Sequence, residues 1–248
     1  MARNAAQDLF NVNGMVAVIT GGGSGLGLYA ARALDANGAK AVYIVGRRED
    51  ALHEAAKTAA NGNIIPLVGD VTDKASLTAI TDRVRNDHGY VNFLFANAGV
   101  NSTSLRVRDH LPKKEGTETA TVKEYQEALW KPEMAEFTNT LHVNCTAAFY
   151  TIIAFLDLLD AGTKKHNVPS DSQILVTSSV AAFSRNLVSS FAYSASKAAI
   201  NHLVKMISTL CAQNKYHIRC STYFIGTSNH EYPTNSFSRH GCARDLSK

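Results

Sequence analysis

The chain is poor in cysteine. Cys145, Cys211, Cys220 and Cys242 are the only four among 248 residues. None forms a CxxC pair, which excludes the common zinc spacings and a disulfide framework. A reduced compartment is the simplest setting for such thiols. Long apolar runs are also missing. The most apolar helical stretch, residues 147–159, is interrupted by Asp157 and falls short of the ~20 residues that cross a bilayer. It reads as a buried amphipathic helix, so no membrane partner is expected. The opening MARNAAQDLFNVNG holds no apolar core of signal-peptide length, and a cytoplasmic location is expected. No internal repeat or low-complexity tract breaks the chain. Charge of one sign is not massed either. The formal net charge of +4 is spread over scattered Lys and Arg, which argues against nucleic acid as a partner.

What is present is globular. Hydrophobic residues make up 45% and charged residues 19%. A chain of this size buries roughly 70–75% of its unfolded surface without staples. Short continuous apolar runs alternate with helical patterns. Strands are expected at 16–20, 41–45, 64–68, 91–96, 173–177 and 218–225. Pro66 marks the third as an edge strand or a strand end. Helices are expected at 28–37, 49–60, 76–86, 136–159 and 194–213, the first stopping at Gly38. Continuous rather than alternating apolar strands mean that both sheet faces are covered. The expected fold is one doubly wound α/β domain over residues 1–248, with a parallel sheet of six recognisable strands between helix layers. Two stretches break this rhythm. Residues 101–135 form a long polar connection, and 226–248 read as an irregular tail.

The segment TGGGSGLG, Thr20 to Gly27, follows a strand and opens a helix. Gly21, Gly25 and Gly27 permit a tight turn, close approach to a pyrophosphate, and close packing of helix on strand. Ser24 and Leu26 complete the loop. The helix N-terminus beyond it offers free N–H groups and the positive end of its dipole. The second strand ends in Gly46-Arg47-Arg48, with no carboxylate before Glu49. An acidic residue there would favour a ribose 2′-hydroxyl, whereas Arg accepts a 2′-phosphate through paired donors. NADP(H) is therefore expected over NAD(H).

Tyr193 and Lys197 lie in YSASK, one turn apart on one helix face. An ammonium beside a phenol favours the phenolate and suits the tyrosine to general acid/base work. Ser178 and Ser179 end the fifth strand, where carboxyl ends face the ligand crevice. These pieces together, with Asp70-Val71, Asn97-Ala98-Gly99 and Asn144, resemble the short-chain dehydrogenase/reductase family in order and in element. The wording around them is similar to fungal members labelled 3-oxoacyl carrier-protein reductases. The resemblance implies an oxidoreductase that interconverts a carbonyl and a secondary alcohol. In it Asp70 and Val71 would bind adenine, while Asn97, Ala98 and Gly99 floor the cofactor site. Asn144 would loosen its helix and hold a water of a proton relay. Ser179 would polarise the carbonyl, Tyr193 would transfer the proton, and Lys197 would bind the nicotinamide ribose and tune Tyr193. The spacing from Ser179 to Tyr193 is slightly long, which keeps Ser178 as a competitor. A homodimer through the helices bearing Asn144 and Tyr193 is also implied.

The pattern departs after the sixth strand. The family's Pro-Gly and threonine-bearing segment is replaced by Ile225-Gly226-Thr227-Ser228, with His230 at the threonine position. No seventh strand or substrate-covering helix is legible beyond it. A shifted reading frame or retained intron would explain this, as would a divergent tail. Low solubility, low activity and even a catalytically impaired nucleotide-binding chain are the corresponding expectations. His142 and His202 have no carboxylate or cysteine at metal spacing and read as surface or interface residues, without a metal. Trp130 reads as a packing anchor of the long connection.

Overall fold

The computed structural model describes residues 11–112, 119–187 and 189–226. Six strands appear in it: β1 (Val16–Thr20), β2 (Ala41–Gly46), β3 (Ile64–Val68), β4 (Phe93–Ala96), β5 (Ser172–Ser179) and β6 (Ile218–Ile225). All pair in parallel in the order β3-β2-β1-β4-β5-β6. Pro66 lies in β3, an edge strand, where a missing N–H breaks no ladder. The chain winds outward from β1 to β3, then restarts at β4 on the other side of β1. That reversal opens a crevice above the carboxyl ends of β1 and β4.

The helices are α1 (Gly25–Ala36), α2 (Glu49–Ala56), α3 (Lys74–Asp87), α4 (Val122–Trp130), α5 (Met134–Leu141), α6 (Ala148–Lys165) and α7 (Phe191–Gln213). On one sheet face, Ala31 of α1 and Leu52 of α2 pack with Ala17, Ile19, Val42 and Ile44. On the other, Ile80, Ile152, Phe155 and Ile200 pack from α3, α6 and α7 onto Val16, Val18, Tyr43 and Leu94. Both faces of β1 are covered, so Val16, Ala17, Val18 and Ile19 are all 0% exposed. The doubly wound fold follows from that continuous apolar run.

The structure corrects several boundaries. Residues 101–135 are not irregular throughout. They contain α4, opened by a capping box in which Thr121 and Glu124 satisfy each other's backbone N–H. The helix expected at 136–159 runs from Met134 to Lys165 through a π-helical segment, His142–Ala147. At that length it is long and apolar enough to cross a membrane by composition alone. Its face nonetheless lies in the core, with Ile152, Phe155, Leu158 and Leu159 all 0% exposed. It also touches the sheet at Gly162, where an added Cβ would stand 2.0 Å from the Val91 carbonyl oxygen. Trp130 is no packing anchor: it is 82% exposed. Among the described residues β6 is the outer strand, with Tyr223 and Phe224 about half exposed. The tail beyond it, with Thr227, Ser228, His230 and Cys242, lies outside the described residues.

Candidate active site

The crevice holds a cavity of about 350 Å³. Gly21 and Ser24 line it from the β1–α1 turn, Arg47 and Arg48 from the end of β2, Asp70 and Val71 from the end of β3, and Asn97, Ala98 and Gly99 from the end of β4. Three strand ends thus bring most of the expected cofactor residues together. Gly25, Leu26 and Gly27 do not line it. Gly27 instead lies beneath the turn, where an added Cβ would come within 2.4 Å of the Gly21 carbonyl oxygen and 2.8 Å of Asn97 Nδ2. Gly21 itself has φ 66°, in the left-handed region that favours glycine. Ser24 occupies the N-cap of α1 with no side-chain capping bond. The first N–H groups of α1 therefore await an acceptor, the usual setting for a phosphate.

Asp70 is held by its own turn. Its Oδ1 accepts from the Thr72 N–H at 2.9 Å and the Thr72 hydroxyl at 2.7 Å. These bonds, chiefly the backbone one, keep the carboxyl below its usual range and therefore ionised. Its Oδ2 has no donor among the described residues, which leaves an acceptor for an exocyclic amine. Arg47 and Arg48 are exposed and make no ion pair among the described residues. Open donors at α1, a spare carboxylate oxygen and two unpaired guanidiniums fit a dinucleotide carrying phosphates.

The second half of the site hangs on α7. Ser190 caps this helix by accepting from the Tyr193 N–H at 3.1 Å. Lys197 is 4% exposed, with Nζ 5.6 Å from the centroid of the Tyr193 ring. Its ammonium donates to the Thr177 carbonyl at 2.8 Å. Burial lowers its pKa to about 8. Ser179 Oγ accepts from the Ala181 N–H at 3.1 Å and lies 3.5 Å from the Ile225 carbonyl oxygen. Ser178, the competitor, is 0% exposed and its hydroxyl has no partner among the described residues.

Asn144 sits inside the π-helical segment, whose widened turn replaces the α-helical bonding there. Its side chain grips one residue of the neighbouring loop. Oδ1 accepts from the Val100 N–H at 2.7 Å, and Nδ2 donates to the Val100 carbonyl at 2.8 Å. The same Nδ2 donates to Ser196 Oγ at 3.1 Å, and Ser196 donates to the Tyr193 carbonyl at 2.7 Å. An added Cβ on Gly99 would meet Asn144 Oδ1 at 3.0 Å and Lys197 Nζ at 3.7 Å, so three motifs converge there. Thr72, Val100 and Ser196 are residues that sequence reasoning missed, and Thr177, which stands with Ser178 and Ser179 at the end of the fifth strand, turns to Asn97 and Lys197 instead of a substrate. Thr72 carried a signal, since Asp-x-Thr favours a local turn; Val100, Ser196 and the contacts of Thr177 depend on tertiary register. His142 and His202 join no metal-binding cluster among the described residues.

Comparison with known proteins agrees with this geometry. The family model described as short chain dehydrogenase matches residues 15–234. The chain belongs to the short-chain dehydrogenase/reductase family. It is 45% identical over 216 residues to the short-chain dehydrogenase/reductase PhomF of Diaporthe leptostromiformis, covering 86% of this chain and 70% of that protein. Among solved structures, a short-chain dehydrogenase/reductase from Burkholderia phymatum in complex with NAD superposes with a TM-score of 0.70 at 24% identity. That match covers 88% of this chain and 67% of the other. An NADP active-site complex of RhlG from Pseudomonas aeruginosa gives 0.67 at 22% identity, covering 87% and 73%. The family uses nicotinamide cofactors, and the fold is Rossmann-like.

Proposed function

We propose that the chain is an NADP(H)-dependent oxidoreductase that interconverts a carbonyl and a secondary alcohol on a small molecule. The observation that carries this reading is the meeting of Lys197 Nζ with the Tyr193 ring at 5.6 Å beside the glycine-rich cavity. Nicotinamide, when bound, supplies or accepts the hydride. Tyr193 gives its phenolic proton to the carbonyl oxygen in reduction and takes it back in oxidation. Ser179 donates to the same oxygen as negative charge develops there. The Lys197 ammonium lies over the Tyr193 ring and, beyond its bond to Thr177, has further donors for the nicotinamide ribose. Both amide hydrogens of Asn144 are engaged by Val100 and Ser196. Its side-chain amide therefore has no hydrogen left to donate to a relay water. Asp70 and Val71 receive adenine, and Asn97, Ala98 and Gly99 floor the site. Arg47 and Arg48 select the 2′-phosphate, which gives NADP(H) preference over NAD(H).

Tyr193→Phe tests the assignment. It should lower turnover at least ~100-fold, in the range of a lost general acid, and leave cofactor affinity within about threefold. Unchanged turnover rejects Tyr193 as the proton donor. Arg47→Ala with Arg48→Ala should erase any preference for NADPH over NADH in calorimetry.

Self-association through α5, α6 and α7 belongs to the same reading. Tyr150, Ile153, Met206 and Leu210 leave exposed apolar surface on α6 and α7. A cytoplasmic setting suits the free Cys145, Cys211 and Cys220. A second reading, a nucleotide-binding chain of low turnover, draws on β6, whose Tyr223 and Phe224 are exposed beside Ser179 and Ile225. Cofactor binding without reduction of any carbonyl would favour it.

A further inference from the structure

Thr177 bridges the two halves of the site with two different groups. Its carbonyl accepts from Lys197 Nζ at 2.8 Å, and its hydroxyl donates to Asn97 Oδ1 at 2.9 Å. Asn97 Nδ2 in turn donates to the carbonyls of Thr20 at 3.1 Å and Gly21 at 3.3 Å. Thr20 Oγ closes the group by accepting from the N–H groups of Asn97 and Ala98, both at 3.1 Å. An unbroken path of hydrogen bonds therefore runs from the glycine-rich turn on β1, across β4, to the ammonium on α7. Thr177 is 7% exposed and Lys197 4% exposed, so water does not readily replace these bonds.

We infer that Thr177 is a positioning residue. By donating to Asn97, its hydroxyl fixes the carbonyl that holds the Lys197 ammonium, and so ties that lysine to the cofactor turn. The inference rests on the proposed roles of Lys197 and Tyr193. A valine at 177 keeps the shape and the carbonyl. It removes the bond to Asn97 and leaves a half-buried acceptor short of a donor. The carbonyl then loses its tether to Asn97, and the ammonium is held less firmly against the cofactor turn.

The test uses the full chain, with Thr177→Val, Thr177→Ser and Lys197→Ala. NADPH and NADH affinities are measured by calorimetry, and KM and kcat are measured alongside. Thr177→Val should weaken cofactor binding about 3- to 10-fold, as expected for one neutral hydrogen bond. It should also raise the cofactor KM by a similar factor. Thr177→Ser, which keeps the hydroxyl, should restore both. In the Lys197→Ala background, Thr177→Val should have much less effect on affinity, because the two residues act through one path. Full additivity of the two substitutions overturns the link to Lys197. Equal impairment by serine and valine overturns the role of the hydroxyl. If the wild-type chain binds cofactor and turns nothing over, the proposed reaction fails. The calorimetric cycle then still decides on Thr177.

Discussion

Burying the Lys197 charge should weaken the fold at neutral pH, and replacing it by methionine should reveal how much. Lys197 is 4% exposed, and desolvation lowers its pKa from 10.5 to about 8. At ~1.4 kcal/mol for each tenfold change in proton affinity, that displacement is worth roughly 3 kcal/mol at neutral pH. The sign follows from proton counts. Between about pH 8 and 10.5 the unfolded chain holds this proton more tightly than the folded one. Wild-type stability therefore rises with pH through that window. Lys197→Met has no such proton. It does leave the Thr177 carbonyl unpaired, a pH-independent cost of about 1–3 kcal/mol. The decisive quantity is thus the change in the difference. The stability of Lys197→Met relative to wild type should fall by about 2 kcal/mol between about pH 7 and pH 9.5. Urea unfolding of the cofactor-free chain, followed by far-ultraviolet circular dichroism, measures it. Trp130 is too exposed to report reliably. Curves for the two proteins that run parallel across this window would refute the argument, since every other titrating group is common to both.

Three further substitutions test separate parts of the structure. Gly27→Ala places a methyl 2.4 Å from the Gly21 carbonyl oxygen; it should cut cofactor affinity at least ~10-fold in calorimetry, and unchanged affinity would show that the turn is not the cofactor seat. Asp35 is 0% exposed and accepts from the N–H groups of Asn61 and Asn63, both at 2.9 Å. Asp35→Ala should cost about 2–4 kcal/mol in urea unfolding, and a loss under about 1 kcal/mol would contradict its role as an anchor. Tyr223→Lys on β6 should raise the concentration at which light scattering first detects aggregates, because a lysine on an outer strand discourages edge pairing. No change would mean that β6 is not the vulnerable edge.

The sheet was legible because its strands are buried on both faces. Val16 to Ile19 could sit nowhere else, and Pro66 could be tolerated only where β3 has a free side. The cofactor residues were legible for a related reason: each ends a strand, and strand ends are marked by a change from apolar to polar or glycine. α4 was missed, although Thr121 and Glu124 carry the capping-box spacing. Its apolar positions Val122, Tyr125, Ala128 and Leu129 have helical spacing, but the run is short and set among charged residues, and only Ala128 is buried. The local loosening around Asn144 came from the resemblance and from no local pattern; what no pattern could give is its partner, Val100, 44 positions away in the chain. The Thr177–Lys197 contact is of the same kind, since it depends on how deeply α7 seats against β5.

These long-range bonds explain why the site is so polar and yet so buried. Parallel strands that stop together leave carbonyls and N–H groups beyond the last ladder rung. At the ends of β1 and β4, Asn97 and Thr20 satisfy those groups with side chains. At the end of β5, Lys197 does so by occupying the Thr177 carbonyl. The residues that shape the cofactor floor are therefore the same ones that finish the sheet. Removing Asn97 would strip partners from Thr20, Gly21 and Thr177 at once, whereas removing Tyr193 orphans no side-chain partner among the described residues. Substitutions at Asn97 and Lys197 must then change stability and function together. Tyr193 is the position at which chemistry can be separated from folding.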